Sequence, residues 1–192
     1  ELGFKLDMPY AVVTYHPVTL EDGSAEQQCR ALVKAMEKHS EMKYIITMAN
    51  ADADGRIINK IWEDFATHNK TASVFESLGS IRYLSALKYA DMVIGNSSSG
   101  LTEVPSFKIP TVNIGDRQKG RLKAASIIDC TPDERAICEA IDYAKSEQCK
   151  EMCKTVKNPY GDGTTSEKTA EIIQKVFRGK IDLKKKFYNL SF

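Results

Sequence analysis

The sequence has 192 residues, of which 42% are hydrophobic and 28% are charged, and these values are typical of one globular domain with its own core. A formal net charge of +1 argues against nucleic acid as the main partner, because a phosphate backbone selects strongly basic protein faces. No apolar run approaches the ~20 residues of a membrane-spanning helix, and no signal peptide is visible, so we expect no membrane segment. Five cysteines without C-x-x-C spacing argue against a disulfide framework and a zinc site, and they favour a reducing cytoplasm.

The first half of the chain alternates between strand and helix patterns. Short runs rich in β-branched and aromatic residues predict strands at 10–15, at 43–48 and, more weakly, at 71–75. Apolar residues at helical spacing predict the intervening helices, over 24–39, over 57–65 and over about 80–89. In the third of these helices, Ile81, Leu84 and Leu87 lie on one face.

The second half continues the alternation. Met92–Gly95 predicts a buried strand that runs into a loop at 96–100 and a short helix over 101–104. The remaining strands are predicted at 109–114 and 126–129. Helices are predicted after Pro132, where proline and acids favour a first turn, and after the cap at Thr165.

Strands that alternate with helices in this way imply a parallel sheet covered on both faces. Six such strands predict an α/β fold of the Rossmann-like, doubly wound class, in which ligands bind at the carboxyl ends of the strands. We expect this domain to occupy residues 1–178, with residues 179–192 as a solvated or docking tail. The chain opens at Glu1-Leu2-Gly3 without a methionine, so we expect it to be part of a longer protein.

The loop between Gly95 and Gly100 is the most informative segment, because small residues there follow a strand and precede a helix. Small side chains let the backbone approach a ligand, and a helix start offers N–H groups and a positive dipole to a diphosphate. Ser97 and Ser98 add hydroxyl donors. The same residues also suit an ordinary helix cap with a tight turn.

Two further residues fall near this loop. Glu103, on the first turn of the short helix, suits recognition of both hydroxyls of a ribose, or only complements the helix dipole. His16 ends the first strand at the same edge of the sheet, where an imidazole moves a proton or pairs with phosphate. A purely structural histidine is the alternative.

Two polar loops follow other strands. Arg117 and Arg121 suit anionic oxygens, or belong to a solvated basic loop. The acids between Asn50 and Gly55 resemble a calcium loop, but Ile61 stands at the twelfth position where an EF-hand has glutamate. We therefore interpret that segment as a turn with polar ligand contacts and predict no metal. Since all these segments follow strands, they fall on one rim of the sheet.

Four motifs together resemble the hydrolysing UDP-N-acetylglucosamine 2-epimerases of sialic acid synthesis. The motifs are T-Y-H-P-V-T at 14–19, N-A-D-A-D-G at 50–55, I-G-N-S-S-S-G-L-T-E-V at 94–104 and N-I-G-D-R-Q-K-G-R at 113–121. Their order and spacing match that family over roughly residues 8–178. The H-P-V-T form is similar to the hydrolysing branch in particular.

The resemblance implies one half of a two-domain, GT-B-like architecture, with the active site in the cleft between the halves. It implies UDP and UDP-N-acetylglucosamine as ligands, bound by Asn50, Leu78, Ser97, Ser98, Gly100, Glu103 and Arg117. Within that set, Glu103 takes the ribose hydroxyls, Leu78 lies near the uracil, and the loop residues hold the diphosphate. The implied reaction eliminates UDP with the C2 proton and adds water to 2-acetamidoglucal, giving N-acetylmannosamine without a metal or other cofactor.

The resemblance places the carboxylates that move protons on an N-terminal half that this chain lacks. We therefore assign no general acid or base among the acids here, and we expect the isolated chain to be inactive. His16 is the one residue that we expect to be required for catalysis, through the phosphate or a proton on the leaving group. The expected partners are the N-terminal half of the same enzyme and, for the parent enzyme, further copies in a homo-oligomer.

Three alternatives stay open. The chain is also compatible with the nucleotide-sugar-binding half of a GT-B glycosyltransferase, although the H-P-V-T and G-D-R-Q-K-G-R elements favour the epimerase. A related epimerase branch acts on a UDP-diacetamido-trideoxy sugar, and uracil and ribose would bind here in both cases. A binding-only domain that senses a nucleotide-sugar is the third alternative.

Overall fold

Six parallel strands form a single sheet in the computed structural model of the protein, which describes residues 3–18, 23–50, 54–179 and 184. The strands are β1 (Tyr10–Thr14), β2 (Lys43–Thr47), β3 (Ala72–Phe75), β4 (Met92–Gly95), β5 (Thr111–Ile114) and β6 (Ile127–Cys130). Their spatial order is β3-β2-β1-β4-β5-β6, and every neighbouring pair is parallel. The predicted doubly wound α/β fold is therefore confirmed, and the strand order reverses between β1 and β4.

Helices connect the strands and cover the sheet. They are α1 (Ala25–Lys38), α2 (Gly55–His68), α3 (Gly79–Tyr89), α4 (Ser99–Thr102), α5 (Glu134–Lys145) and α6 (Glu147–Thr155), with a 3-10 turn at Val104–Phe107. A further helix, α7 (Thr165–Arg178), follows later in the chain. The sequence patterns did not predict α6. Only Cys149 and Cys153 are buried in that helix, so its apolar repeat is too sparse to produce a periodic signal.

The core lies on both faces of the sheet, because successive residues of a strand point to opposite sides. Ala11 and Val13 of β1 belong to the larger cluster, which includes Trp62 and residues of α1, α2 and α5. Tyr10 and Val12 belong to the second cluster, which includes residues of α3 and the 3-10 turn. Strands that are buried on both sides read as continuous apolar runs, which is why the sequence revealed them clearly.

The buried face of α3 differs from the face on which the apolar spacing falls. Ile81 is 81% exposed and Leu84 is 38% exposed, whereas Ala86 and Leu87 are buried. Ala86 and Leu87 pack into the second cluster, with Tyr83 against it. The small side chain of Ala86 lets this side of the helix approach the sheet, and a pattern that counts only large apolar residues misses it.

The chain divides into two compact units, residues 1–159 and residues 160–192. The second unit contains α7, which buries no residue, and its Ile172, Ile173, Val176 and Phe177 are all exposed. The domain boundary at 178 stays a prediction, and most of the tail lies outside the described residues. No helix within the described ranges is long and apolar enough to cross a membrane.

Gly95 lets β4 pass unusually close to β1. Its φ is +138°, and a Cβ built on it would lie 1.9 Å from the carbonyl oxygen of Thr14. A side chain at this position would therefore have to push apart two hydrogen-bonded central strands.

We expect Gly95→Ala to lower the free energy of unfolding by about 3 kcal/mol, because backbone strain and a steric clash act together. Chemical denaturation followed by circular dichroism measures the loss. Gly120→Ala is the matched control: its φ is +80°, but no atom lies within 4 Å of the added Cβ. The control should cost only about 1 kcal/mol, and equal losses in both variants would show that the close approach to Thr14 is unimportant.

Candidate nucleotide site

A cavity of about 380 Å³ opens at the carboxyl edge of the sheet. It is lined by residues that follow β1, β2, β3 and β4: Thr14, His16, Thr47, Met48, Glu76, Ser77, Leu78, Gly79, Ser80, Tyr83, Ser97 and Ser99. Seven of the twelve lining residues carry a hydroxyl group, and the cavity borders the β1–β4 pair where the strand order reverses. The sequence patterns predicted this edge as the ligand-binding rim, and two of the predicted segments line the cavity, through His16 and through Ser97 and Ser99.

Asn96 joins the two loops beside this cavity. Its side chain is fully buried, and it exchanges two hydrogen bonds with the main chain of His16. The His16 N–H donates to Oδ1 at 2.8 Å, and Nδ2 donates to the His16 carbonyl at 2.8 Å. The Asn96 N–H also donates to the Thr14 carbonyl at 3.1 Å, which continues the β1–β4 ladder past the end of the strands.

The β5–β6 loop is attached to the same residue. Nε2 of the buried Gln118 donates to the Asn96 carbonyl at 2.8 Å, and Nη1 of Arg117 donates to it at 3.2 Å. Arg117 is half-buried next to the loop and does not line the cavity itself, whereas Arg121 is exposed. The structure thus brings Arg117, Asn96 and His16 into one hydrogen-bonded cluster.

The loop between Gly95 and Gly100, here called the small-residue loop, contributes to the site in three different ways. Ser97 and Ser99 line the cavity, whereas the Ser98 carbonyl accepts the N–H of Leu101 and the hydroxyl of Thr102. Gly100 is buried against Thr111, with a built Cβ only 2.8 Å from the Thr111 methyl group, and its N–H donates to the Ser97 carbonyl at 3.2 Å. The Gly100 amide is therefore occupied within the turn.

Glu103 lies at the carboxyl end of α4, whereas the sequence analysis placed it on the first turn of that helix. The helix starts at Ser99 and ends at Thr102, so Glu103 caps its carboxyl end and its side chain is exposed. An acid at this end does not complement the dipole of α4, but Glu103 also precedes the 3-10 turn at Val104–Phe107 as its N-cap. The loop closes into a helix two residues earlier than predicted, because the N–H groups of Leu101 and Thr102 bond back to Ser98.

Tyr83 is a lining residue that the sequence analysis missed. Its hydroxyl forms a 2.6 Å hydrogen bond with Oγ of Ser99, which links α3 to the small-residue loop. Burial raises the pKa of the Tyr83 phenol, the bond to Ser99 lowers it, and the nearby Glu103 charge raises it. The spacing of Tyr83 from Leu87 on the buried face of α3 was the signal that would have identified it.

The two remaining predicted residues flank the cavity on the β2 and β3 side. Leu78 is buried and lines it, at the turn where Gly79 adopts a φ of +66° before α3. Asn50 is exposed, and its backbone N–H donates to Nδ1 of His16 at 3.2 Å. Residues 51–53 of the N-A-D-A-D-G motif and Thr19 of the first motif lie outside the described residues.

We expect Asn96→Ala to lower the free energy of unfolding by about 2–4 kcal/mol, since it leaves the N–H and C=O of His16 without their buried partners. Urea denaturation measures this loss. Asn113→Ala removes a side chain of the same size from an equally buried position, where Nδ2 donates to the half-exposed Asp129. This control should cost about 1 kcal/mol, and a similar loss from both variants would contradict the role given to Asn96.

The whole of the described domain has known relatives. The family model for UDP-N-acetylglucosamine 2-epimerase matches residues 3–174. Over 151 residues the chain is 40% identical to the hydrolysing GDP/UDP-N,N'-diacetylbacillosamine 2-epimerase of Campylobacter jejuni, which covers 78% of this chain and 39% of that protein. Over 185 residues it is 37% identical to polysialic acid biosynthesis protein P7 of Escherichia coli, which covers 94% and 46% of the two chains.

A solved structure supports the same fold. The chain superposes on S. aureus MnaA, solved with UDP, with a TM-score of 0.69 at 16% identity, covering 90% of this chain and 47% of that one. The chain thus spans less than half the length of each of these relatives. Because the family model matches nearly all of the described residues, this chain belongs to the UDP-N-acetylglucosamine 2-epimerase family.

Proposed function

We propose that this chain is the UDP-binding, C-terminal half of a hydrolysing UDP-N-acetylglucosamine 2-epimerase that works in the cytoplasm. The cavity at the strand-order reversal carries the proposal, because this is where doubly wound folds bind nucleotides. An N-terminal half of the same enzyme would close the cleft and complete the active site. The family match and the half-length coverage of relatives support this division.

The nucleotide would lie along the rim from β4 towards β3. Ser97 and Ser98 would face the diphosphate, with Gly100 holding the turn behind them and Arg117 supplying positive charge from the neighbouring loop. Glu103 would accept the ribose hydroxyls, at a place where its charge already influences the Tyr83 phenol. The uracil would then reach Leu78, and Asn50 would line the pocket next to His16.

The proposed reaction is an elimination followed by a hydration. The C1–O bond to UDP breaks while the C2 proton is lost, which leaves the C1=C2 double bond of 2-acetamidoglucal. Water then adds a hydroxyl to C1 and a proton to C2 on the other face, and N-acetylmannosamine is released. The carboxylates that carry the C2 and C3 protons would come from the N-terminal half, and His16 would act at the leaving diphosphate.

The sugar on UDP has two candidates. The relative from C. jejuni acts, by its name, on a diacetylbacillosamine nucleotide, so a diacetamido-trideoxy sugar is the second candidate substrate. We expect the whole enzyme to release N-acetylmannosamine from UDP-N-acetylglucosamine, which mass spectrometry of the products measures. Faster turnover of the UDP-diacetamido-trideoxy sugar in the same assay would instead favour the second candidate.

The UDP site is tested by calorimetric titration of UDP into this chain and two variants. We expect Glu103→Ala and Arg117→Ala each to weaken binding about tenfold or more, since a charge-assisted contact contributes roughly 1.5–3 kcal/mol.

Arg135→Ala is the control, because Arg135 is exposed on α5 and pairs with its helix neighbour Glu139. That variant should bind UDP as the wild type does. If UDP fails to bind at millimolar concentration, adding the N-terminal half separates the two causes. Binding that returns means that the partner half completes the pocket, and binding that stays absent contradicts the proposal.

A further inference from the structure

The three histidines of the chain differ in what faces their Nδ1 atoms. In His39 and His68, Nδ1 lies 2.7 Å and 2.8 Å from a backbone carbonyl oxygen one helical turn earlier, that of Ala35 and Asp64 respectively. A carbonyl oxygen only accepts hydrogen bonds, so Nδ1 of His68 must carry a proton, whereas His39 has a second acceptor, Oδ1 of Asp142, at 3.1 Å from its Nε2. In His16, by contrast, Nδ1 faces the backbone N–H of Asn50 at 3.2 Å.

A backbone N–H only donates, so Nδ1 of His16 must accept. In a neutral imidazole one nitrogen donates and the other accepts, and the partner of one nitrogen decides which of them carries the proton. We propose that the Asn50 backbone N–H holds neutral His16 in the tautomer protonated at Nε2, so that the ring serves the ligand as a hydrogen-bond donor.

Both partners of this contact are held in place by the fold. The His16 main chain is fixed by the two bonds to the buried Asn96. On the other side, Oδ1 of Asn59 in α2 accepts the Ala49 N–H at 2.7 Å, directly before Asn50. A Cβ on Gly55 would lie 2.2 Å from the carbonyl oxygen of Asn50, so the start of α2 packs directly against this residue. The Asn50 N–H is therefore preorganised rather than fitted by a mobile loop.

The tautomer limits what His16 can do in the reaction. This consequence rests on the proposed function. A neutral ring protonated at Nε2 has no free lone pair on that nitrogen, so Nε2 cannot remove the C2 proton. Full transfer of the Nε2 proton would leave an imidazolate anion, so the ring keeps its proton. His16 would therefore stabilise the departing diphosphate by donating a hydrogen bond, which is electrostatic rather than acid catalysis.

The tautomer is measurable by two-bond ¹H–¹⁵N correlation spectra of the chain labelled with ¹⁵N-histidine. The pH should be about 8.5, some two units above the ordinary histidine pKa, so that the ring is neutral. With three histidines, the His16 signals are identified as the set that disappears in His16→Gln. We expect the Nδ1 of His16 to have the shift of an acceptor nitrogen and Nε2 that of a protonated one. His68 should show a protonated Nδ1.

Two variants separate the backbone N–H from the side chain of Asn50. Asn50→Ala keeps the N–H and should leave the His16 shifts unchanged, whereas Asn50→Pro removes it and should move both nitrogens towards averaged values. A protonated Nδ1, or averaged shifts in the wild type, would overturn the inference. If the proline variant does not fold, the wild-type spectrum and Asn50→Ala still decide.

Adding UDP to the same sample separates this inference from the proposed function. If Nδ1 of His16 has the chemical shift of an acceptor nitrogen and UDP does not change the His16 shifts, the result supports the tautomer and counts against the UDP site. A UDP-induced change at a His16 whose Nδ1 is protonated would support the site and overturn the tautomer.

Discussion

The burial of Asn96 is the constraint on which the carboxyl edge depends. An amide side chain with no exposure must find partners for its donor and its acceptor inside the protein, and both are supplied by the backbone of a single residue, His16. The carbonyl of Asn96 in turn accepts hydrogen bonds from Gln118 and Arg117, which lie in a third chain segment. The end of β1, the loop after β4 and the loop after β5 thus share one fully buried polar centre, and moving any of them would leave buried polar groups unpaired.

Glycines make this arrangement possible by allowing segments to approach one another closely. Gly95 lets β4 pass the Thr14 carbonyl, Gly100 lets α4 lie on Thr111, and Gly55 lets α2 start on the peptide of Asn50. These are all contacts with the backbone or with a short side chain, and none has room for a methyl group. The rim is accordingly built from close backbone packing, which favours a site that exists before a ligand arrives.

Much of the fold could be predicted from the sequence, because parallel strands buried on both faces give unbroken apolar runs such as Met92–Gly95. The positions of the small-residue loop and of His16 followed from the same logic, since each comes directly after a strand. The face of α3 could not be predicted, because Ala86 contributes contact without much apolar area. The place of Glu103 depended on where α4 starts, and element boundaries are set by local hydrogen bonds that composition does not reveal.

The strand order has a consequence for cooperativity. Within the described chain, the β1–β4 ladder is the one line of sheet hydrogen bonds that joins the block β1–β3 to the block β4–β6, and it contains only four residue pairs. Asn96 extends this seam beyond the strand ends by one backbone bond to Thr14 and by two bonds between its side chain and the main chain of His16. A ligand held across the same edge would resist any partial opening that separates the blocks. Binding of such a ligand would therefore slow amide hydrogen exchange in strands that the ligand does not contact.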